Sequence, residues 1–169
     1  MEKNTSQSNI FYVCKGDSVF IKLINRFTAL YSVNFKTFIK NKFINNNDKI
    51  NNLYIDLSET QYLDSTFMGV LLYIENKSNE NKKNFKIINS SKEALQNLKS
   101  LGLEKILKIE NRKETLHKND MQEYFCFSTH KNTLFKSMLK SHILLSSLNK
   151  GNKKEFCALI RRLKKENKN

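Results

Sequence analysis

An acidic side chain and a hydroxyl stand together at Asp64-Ser65, between the apolar run Leu53-Tyr-Ile-Asp-Leu57 and the strongly apolar segment that Thr66 opens. Either residue is a good N-cap, because a short side-chain oxygen accepts from amides that the first helical turn leaves unpaired. Ser65 thus stands at a helix start, where backbone N–H groups point outward and the helix dipole is positive. A phosphate on Ser65 fits that position and is stabilised by it. It also adds about two negative charges beside Asp64, so a partner docking on this helix end would be repelled. The chemistry on offer is a binary switch in which the unmodified form binds and the phosphorylated form does not. Thr66 and Ser58 are secondary hydroxyls for the same role.

Other residue types carry less. The glycines Gly16, Gly69, Gly102 and Gly151 spell neither GxxxxGK nor GxGxxG, which excludes those phosphate loops. His117, His130 and His142 stand alone, without an HExxH. His142 falls on an apolar stripe near the C-terminus and reads as a satisfied core histidine rather than a ligand. Cys14, Cys126 and Cys157 are odd in number and far apart, without a CxxC, so they support neither a disulfide framework nor a thiolate metal site. With no acid–base pair, nucleophile–base arrangement or metal set, the chain reads as a non-enzyme without metal or cofactor.

The elements that position Asp64-Ser65 follow from hydrophobic periodicity. Ile10–Cys14 and Ser18–Ile24 are β-rich runs around Lys15-Gly16-Asp17, a hairpin signal. Leu30, Tyr31, Phe35, Phe38 and Ile39 recur at helical spacing within 28–43, and Asn45–Asp48 is a polar loop. Leu53–Leu57 has the apolar character of a strand buried on both faces. A helix then runs from Asp64 or Ser65 to about Lys77. Asn84–Asn89 is a strand, Ser91 opens a helix ended by Gly102, and Ile106–Ile109 makes a last strand. The order β-β-α-β-α-β-α-β predicts an α/β sheet layered with helices. Beyond residue 110, Leu134, Phe135, Met138, Leu139, Leu145 and Leu148 mark one more helix. Phe156, Leu159, Ile160 and Leu163 mark another, with a break at Lys150-Gly151-Asn152.

The chain has 169 residues and a net charge of +14, and 26 of its 30 basic residues are lysine. Nucleic-acid readers favour arginine, whose fork reads phosphates and base edges bidentately, so a solvated surface is the preferred explanation of the charge. The longest apolar run, Met68–Ile74, is too short to span a bilayer, and the first residues lack a secretory signal's apolar stretch. A cytoplasmic protein is expected.

Residues 53–72 resemble the STAS domain of bacterial anti-sigma factor antagonists, where a strand of the type I-D-L-S leads to D-S-S/T-G-x-G at a helix start. Here the strand reads Ile55-Asp-Leu-Ser58 and the motif Asp64-Ser65-Thr66-Phe67-Met68-Gly69. Leu98–Ile109 is similar to the family's closing helix and strand, and Asn25–Ala29 falls at its turn into the first helix. The resemblance implies a small sheet of about five strands with helices packed on it. It divides the chain into a disordered N-terminus (1–9), a STAS-like domain (10–110) and a basic helical C-terminal extension (111–169). It further implies partner switching: the unphosphorylated domain binds a serine kinase that doubles as an anti-sigma factor. The kinase phosphorylates the serine matching Ser65, and a PP2C-type phosphatase resets it. Asp64, Ser65, Thr66, Phe67, Met68 and Thr28 are the implied partner-binding residues. Phe67 stands where the family has glycine, a bulky ring in a kinase's path or, alternatively, an exposed interface anchor. Thr28 replaces an acidic residue and Asn25 a glycine. A constitutive STAS scaffold or adaptor without the switch is the alternative reading, and a basic nucleic-acid-binding module a lower one.

The extension has two readings. Its helices form a hairpin that packs on the sheet or pairs two protomers into a homodimer. Alternatively Lys153, Lys154, Arg161, Arg162, Lys164 and Lys165 make a basic amphipathic helix for an anionic partner.

Overall fold

The structure is a computed structural model that describes residues 7–45, 49–112 and 117–166. Residues 1–6 and 46–48, parts of the stretches expected to be disordered and to form a loop, lie outside the described residues. Gly16, at φ +58°, reverses the chain between β1 (Asn9–Lys15) and β2 (Ser18–Phe27), which pair antiparallel as the hairpin signal predicts. Alternation along β2 turns Val19, Ile21 and Leu23 inward, and all three are fully buried. Val19 and Ile21 align with Leu53 and Ile55 of β3 (Asn52–Asp56), which align in turn with Phe85 and Ile87 of β5 (Asn84–Ile88). These parallel pairs make the floor of the core.

Among the described residues the sheet has seven strands, where about five were expected. In order they run β6 (Ile109–Glu110), β5, β3, β2, β1, β7 (Gln122–Tyr124), with β4 (Thr60–Leu63) pairing with β2 off this path. The additions are short pieces whose pairing no local pattern announces. β7 is polar and becomes a strand only by joining the open edge of β1, Ile10 opposite Tyr124. The last predicted strand is displaced. Gly102, at φ +76°, leads into a 3₁₀ turn at Leu103–Lys105, and pairing begins only at Ile109.

Helix α1 (Ala29–Ile39), prolonged by a π turn at Lys40–Ile44, buries Phe35, Phe38 and Ile39 against the sheet, while Leu30 on its first turn is exposed. Helix α2 (Ser65–Glu80) buries Val70, Leu71 and Ile74. Ser91 caps α3 (Lys92–Ser100), its hydroxyl accepting from the Ala94 amide at 3.0 Å. The extension supplies α4 (Lys131–Ser146) and α5 (Lys150–Glu166). Their break falls at residues 147–149 rather than 150–152, because Asn149 accepts from the Asn152 amide and so places Lys150–Asn152 inside the first turn of α5. The hairpin packs on the helical layer of α1 and α2, not on the sheet as one reading expected. Leu145, Phe156 and Leu163 are buried within this chain, while Ile143 is exposed.

Candidate functional site

Asp64 settles which residue caps α2. Its Oδ1 accepts from the Phe67 amide at 2.8 Å, and its Oδ2 accepts from the Ala29 amide at 2.7 Å, so one carboxylate closes the first turns of both α2 and α1. Thr28, at the N-cap position of α1, makes no side-chain capping bond, and Asp64 takes that role from 35 residues away. Burial raises the Asp64 pKa, against the opposing pull of the Phe67 and Ala29 amides, His142 and the Thr66 amide. The Phe67 amide, one of those foreseen as a phosphate cradle, is therefore turned to a carboxylate already in place.

Ser65 is the first residue of α2 and half-buried. Its Oγ lies 2.9 Å from Nε2 of His142 on α4, and Nδ1 of His142 lies 2.7 Å from the Met138 carbonyl oxygen. A carbonyl only accepts, so Nδ1 carries the hydrogen and Nε2 presents its lone pair. Ser65 is then the donor. His142 is 2% exposed, and its ring meets Phe156 edge-on at 4.9 Å. Burial holds its pKa below the ordinary imidazole value despite opposing contributions from the Met138 carbonyl, Asp64 and Glu155. His142 is indeed buried and hydrogen-bonded. Its partner, 77 residues earlier, has no signature in the local sequence.

Thr66, Phe67 and Met68 turn inward. Phe67 is fully buried, its ring centroid 5.1 Å from Phe27 and 5.0 Å from Phe35. The expectation of an exposed ring, as obstacle or anchor, is overturned. At this register of α2 the side chain faces the sheet, where an aromatic gains more from burial than from water. Thr66 and Met68 are buried too. Thr28 is half-buried at the mouth of α1. Ser58 is exposed beyond β3, where its hydroxyl donates to Asp56 and accepts from Lys22 Nζ at 3.0 Å. Asn25 takes φ +74°, a left-handed conformation that asparagine tolerates and that a glycine would adopt freely.

Two contacts missed at the sequence level complete the site. Gly69 lies so close to α4 that a Cβ placed there would come within 2.5 Å of the Ser141 Cβ and 2.8 Å of its Cα. Ser32 on α1 donates to the Ala29 carbonyl and lies 3.0 Å from the Ser137 Oγ. On the outer side of α5, Lys153, Lys154, Arg161, Arg162, Lys164 and Lys165 are exposed, with Arg162 paired to Glu166 at 3.0 Å. Among the described residues no three His, Cys, Asp or Glu side chains converge as metal donors, and no helix is long and apolar enough to cross a membrane.

Residues 10–116 match the STAS domain family. No curated protein matches the chain. Among solved structures, a Thermotoga maritima protein assigned as an anti-sigma factor antagonist aligns with a TM-score of 0.55 at 20% identity, over 60% of this chain and 86% of its own. The anti-sigma factor antagonist SpoIIAA in its unphosphorylated form aligns with a TM-score of 0.54 at 12% identity, over 63% of this chain and 89% of its own. The phosphorylated form of the Bacillus cell fate determinant SpoIIAA aligns at 0.51 and 12%, over 63% and 92%. At such identities the likeness is one of fold. The family match stops at residue 116, before β7, α4 and α5.

Proposed function

The chain belongs to the STAS domain family, and from that premise we propose that it is a non-enzymatic regulatory binding module of the anti-sigma factor antagonist kind. Its partner is an anti-sigma serine kinase, its switch is phosphate on Ser65, and a PP2C-type phosphatase restores the unmodified form. The reading carries with it a bacterial, cytoplasmic setting and a role in transcription regulation. The observation that supports it is the position of Ser65, the first residue of a sixteen-residue helix and next to the carboxylate that caps that helix. Because Asp64 already takes the Phe67 amide, phosphate acts here by adding charge beside a carboxylate rather than by filling an empty cradle. The test is intact-mass analysis of protein from its native cells, with peptide mapping across residues 51–77 and a pull-down comparing wild type with Ser65→Asp. Phosphate on Ser65 and loss of a partner in Ser65→Asp are the expected results. Protein that stays unmodified through growth and stress overturns the switch.

A second reading keeps the fold without the switch, as a constitutive scaffold or adaptor subunit. The hydrogen bond from Ser65 to buried His142 favours it, since a hydroxyl so engaged has a structural use of its own.

A further inference from the structure

The surface that ends at Ser65 already has an occupant. Helix α4 crosses α2 at Gly69, where only the missing Cβ allows the Ser141 backbone so near. It reaches α1 through Ser137 and Ser32 at 3.0 Å, and its entry is tied down by Asn34, whose side-chain amide donates to the Phe127 carbonyl at 2.8 Å and to the Thr129 Oγ1 at 3.1 Å. At the end of α2, His142 accepts the Ser65 hydroxyl proton from a position 2% exposed. Ser141 is 5% exposed, so water does not separate the helices along this seam.

The direction of the Ser65–His142 bond gives this contact a chemical consequence. Phosphorylation forms an Oγ–P bond to the γ-phosphorus of a nucleoside triphosphate and breaks that phosphorus's bond to the bridging oxygen. The nucleoside diphosphate leaves, and the hydroxyl proton passes to the kinase's base. The hydrogen that bonds His142 is therefore the atom that phosphorylation removes. A phosphate group must then fit where only a hydrogen separates Oγ from the buried Nε2, 2.9 Å away, and the neutral ring offers it a lone pair rather than a donor. The charged groups that face His142 are Asp64 and Glu155, both acidic, and Phe156 covers its ring. The Phe67 amide is held by Asp64, so a phosphate set beneath α4 gains no donor from it.

We propose that α4 and α5 form an intramolecular latch on the α1–α2 face, held by the α4 packing contacts and with the Ser65–His142 hydrogen bond at its edge, and that phosphate on Ser65 and the docked hairpin exclude each other. This deepens the proposed function and rests on Ser65 as the modified residue. A kinase reaches Ser65 only in molecules whose hairpin has lifted, and any partner for this face competes with α4 first. Its apparent affinity is reduced by the fraction of open molecules.

The experiment is amide hydrogen exchange on the full chain, comparing wild type, Ser65→Ala, Gly69→Ala and protein with phosphoserine installed at position 65. With phosphoserine, amides of 131–166 should exchange at least tenfold faster while those of β2, β3 and β5 keep their protection. Ser65→Ala, which removes the bond but adds no charge, should leave the hairpin largely docked, and Gly69→Ala should open it by steric displacement with Ser65 untouched. Unchanged protection of 131–166 in the phosphoserine protein overturns the latch, as does loss of protection throughout the sheet. The result is independent of whether native cells phosphorylate Ser65. The mass analysis above decides that separately.

Discussion

Asp64, Phe67 and His142 lie within one turn of the same helix end, and each has a stability consequence of its own. Phe67→Ala removes a ring packed between Phe27 and Phe35 and should cost ~3–5 kcal/mol in denaturant unfolding. A loss below about 1 kcal/mol would place the ring at the surface instead. His142 ties stability to pH with a definite sign. Burial holds its folded pKa below 6.5, so as the pH falls through that value the unfolded chain binds a proton that the folded one refuses. Stability present above pH 6.5 should therefore decline on acidification until the folded pKa is passed. Asp64 has the opposite sign and a lower window. Its folded pKa is raised above 3.8, so its contribution improves as the pH falls toward that value. Melting temperatures measured between about pH 7.5 and 5.5 should thus fall in wild type, and the slope should flatten in His142→Gln; an equal slope in both would detach the effect from His142. The periodicity around 64–69 was sufficient to locate the helix start. It did not say which of those side chains faces the sheet, because the whole segment is apolar.

Among the elements, the α2–α4 crossing is the most discriminating. In a free helix Gly→Ala is favourable by roughly 0.8–1 kcal/mol. At Gly69 the added methyl would overlap backbone and side chain of Ser141, so Gly69→Ala should destabilise the fold by ~1–3 kcal/mol. Denaturant titration reads the sign directly, and a stabilised variant would mean that α4 does not rest on α2. Elements with strong local signals, the hairpin and α1, α2 and α3, were legible because caps, turns and period act within a few residues. β4 and β7 were not. Four and three residues long, they owe their strand character to the partner strands β2 and β1.

At the scale of the whole molecule, the basic side chains of the hairpin and its docking seam lie mostly on different faces. The seam of α4 is made of apolar side chains, serines and His142, with Lys36 and Lys140 at its edge, while the lysines of α5 face outward. Hydrogen exchange of 131–166 should accordingly change little between about 0.05 and 0.5 M salt, where screening weakens exposed charge pairs but not a buried seam. A duplex oligonucleotide should bind weakly at the low end and not measurably above about 0.15 M. Tight binding with a steep logarithmic salt slope would revive the nucleic-acid reading. The sequence alone determined the α/β class, the order of the main elements and Asp64-Ser65 at a helix start, since these depend on residues close along the chain. Only the tertiary structure decided that Phe67 is core, that one carboxylate caps two helices, and that the extension folds back over Ser65. Each of those outcomes depends on groups far apart in sequence meeting at hydrogen-bond or van der Waals distance, and no local pattern encodes such a meeting.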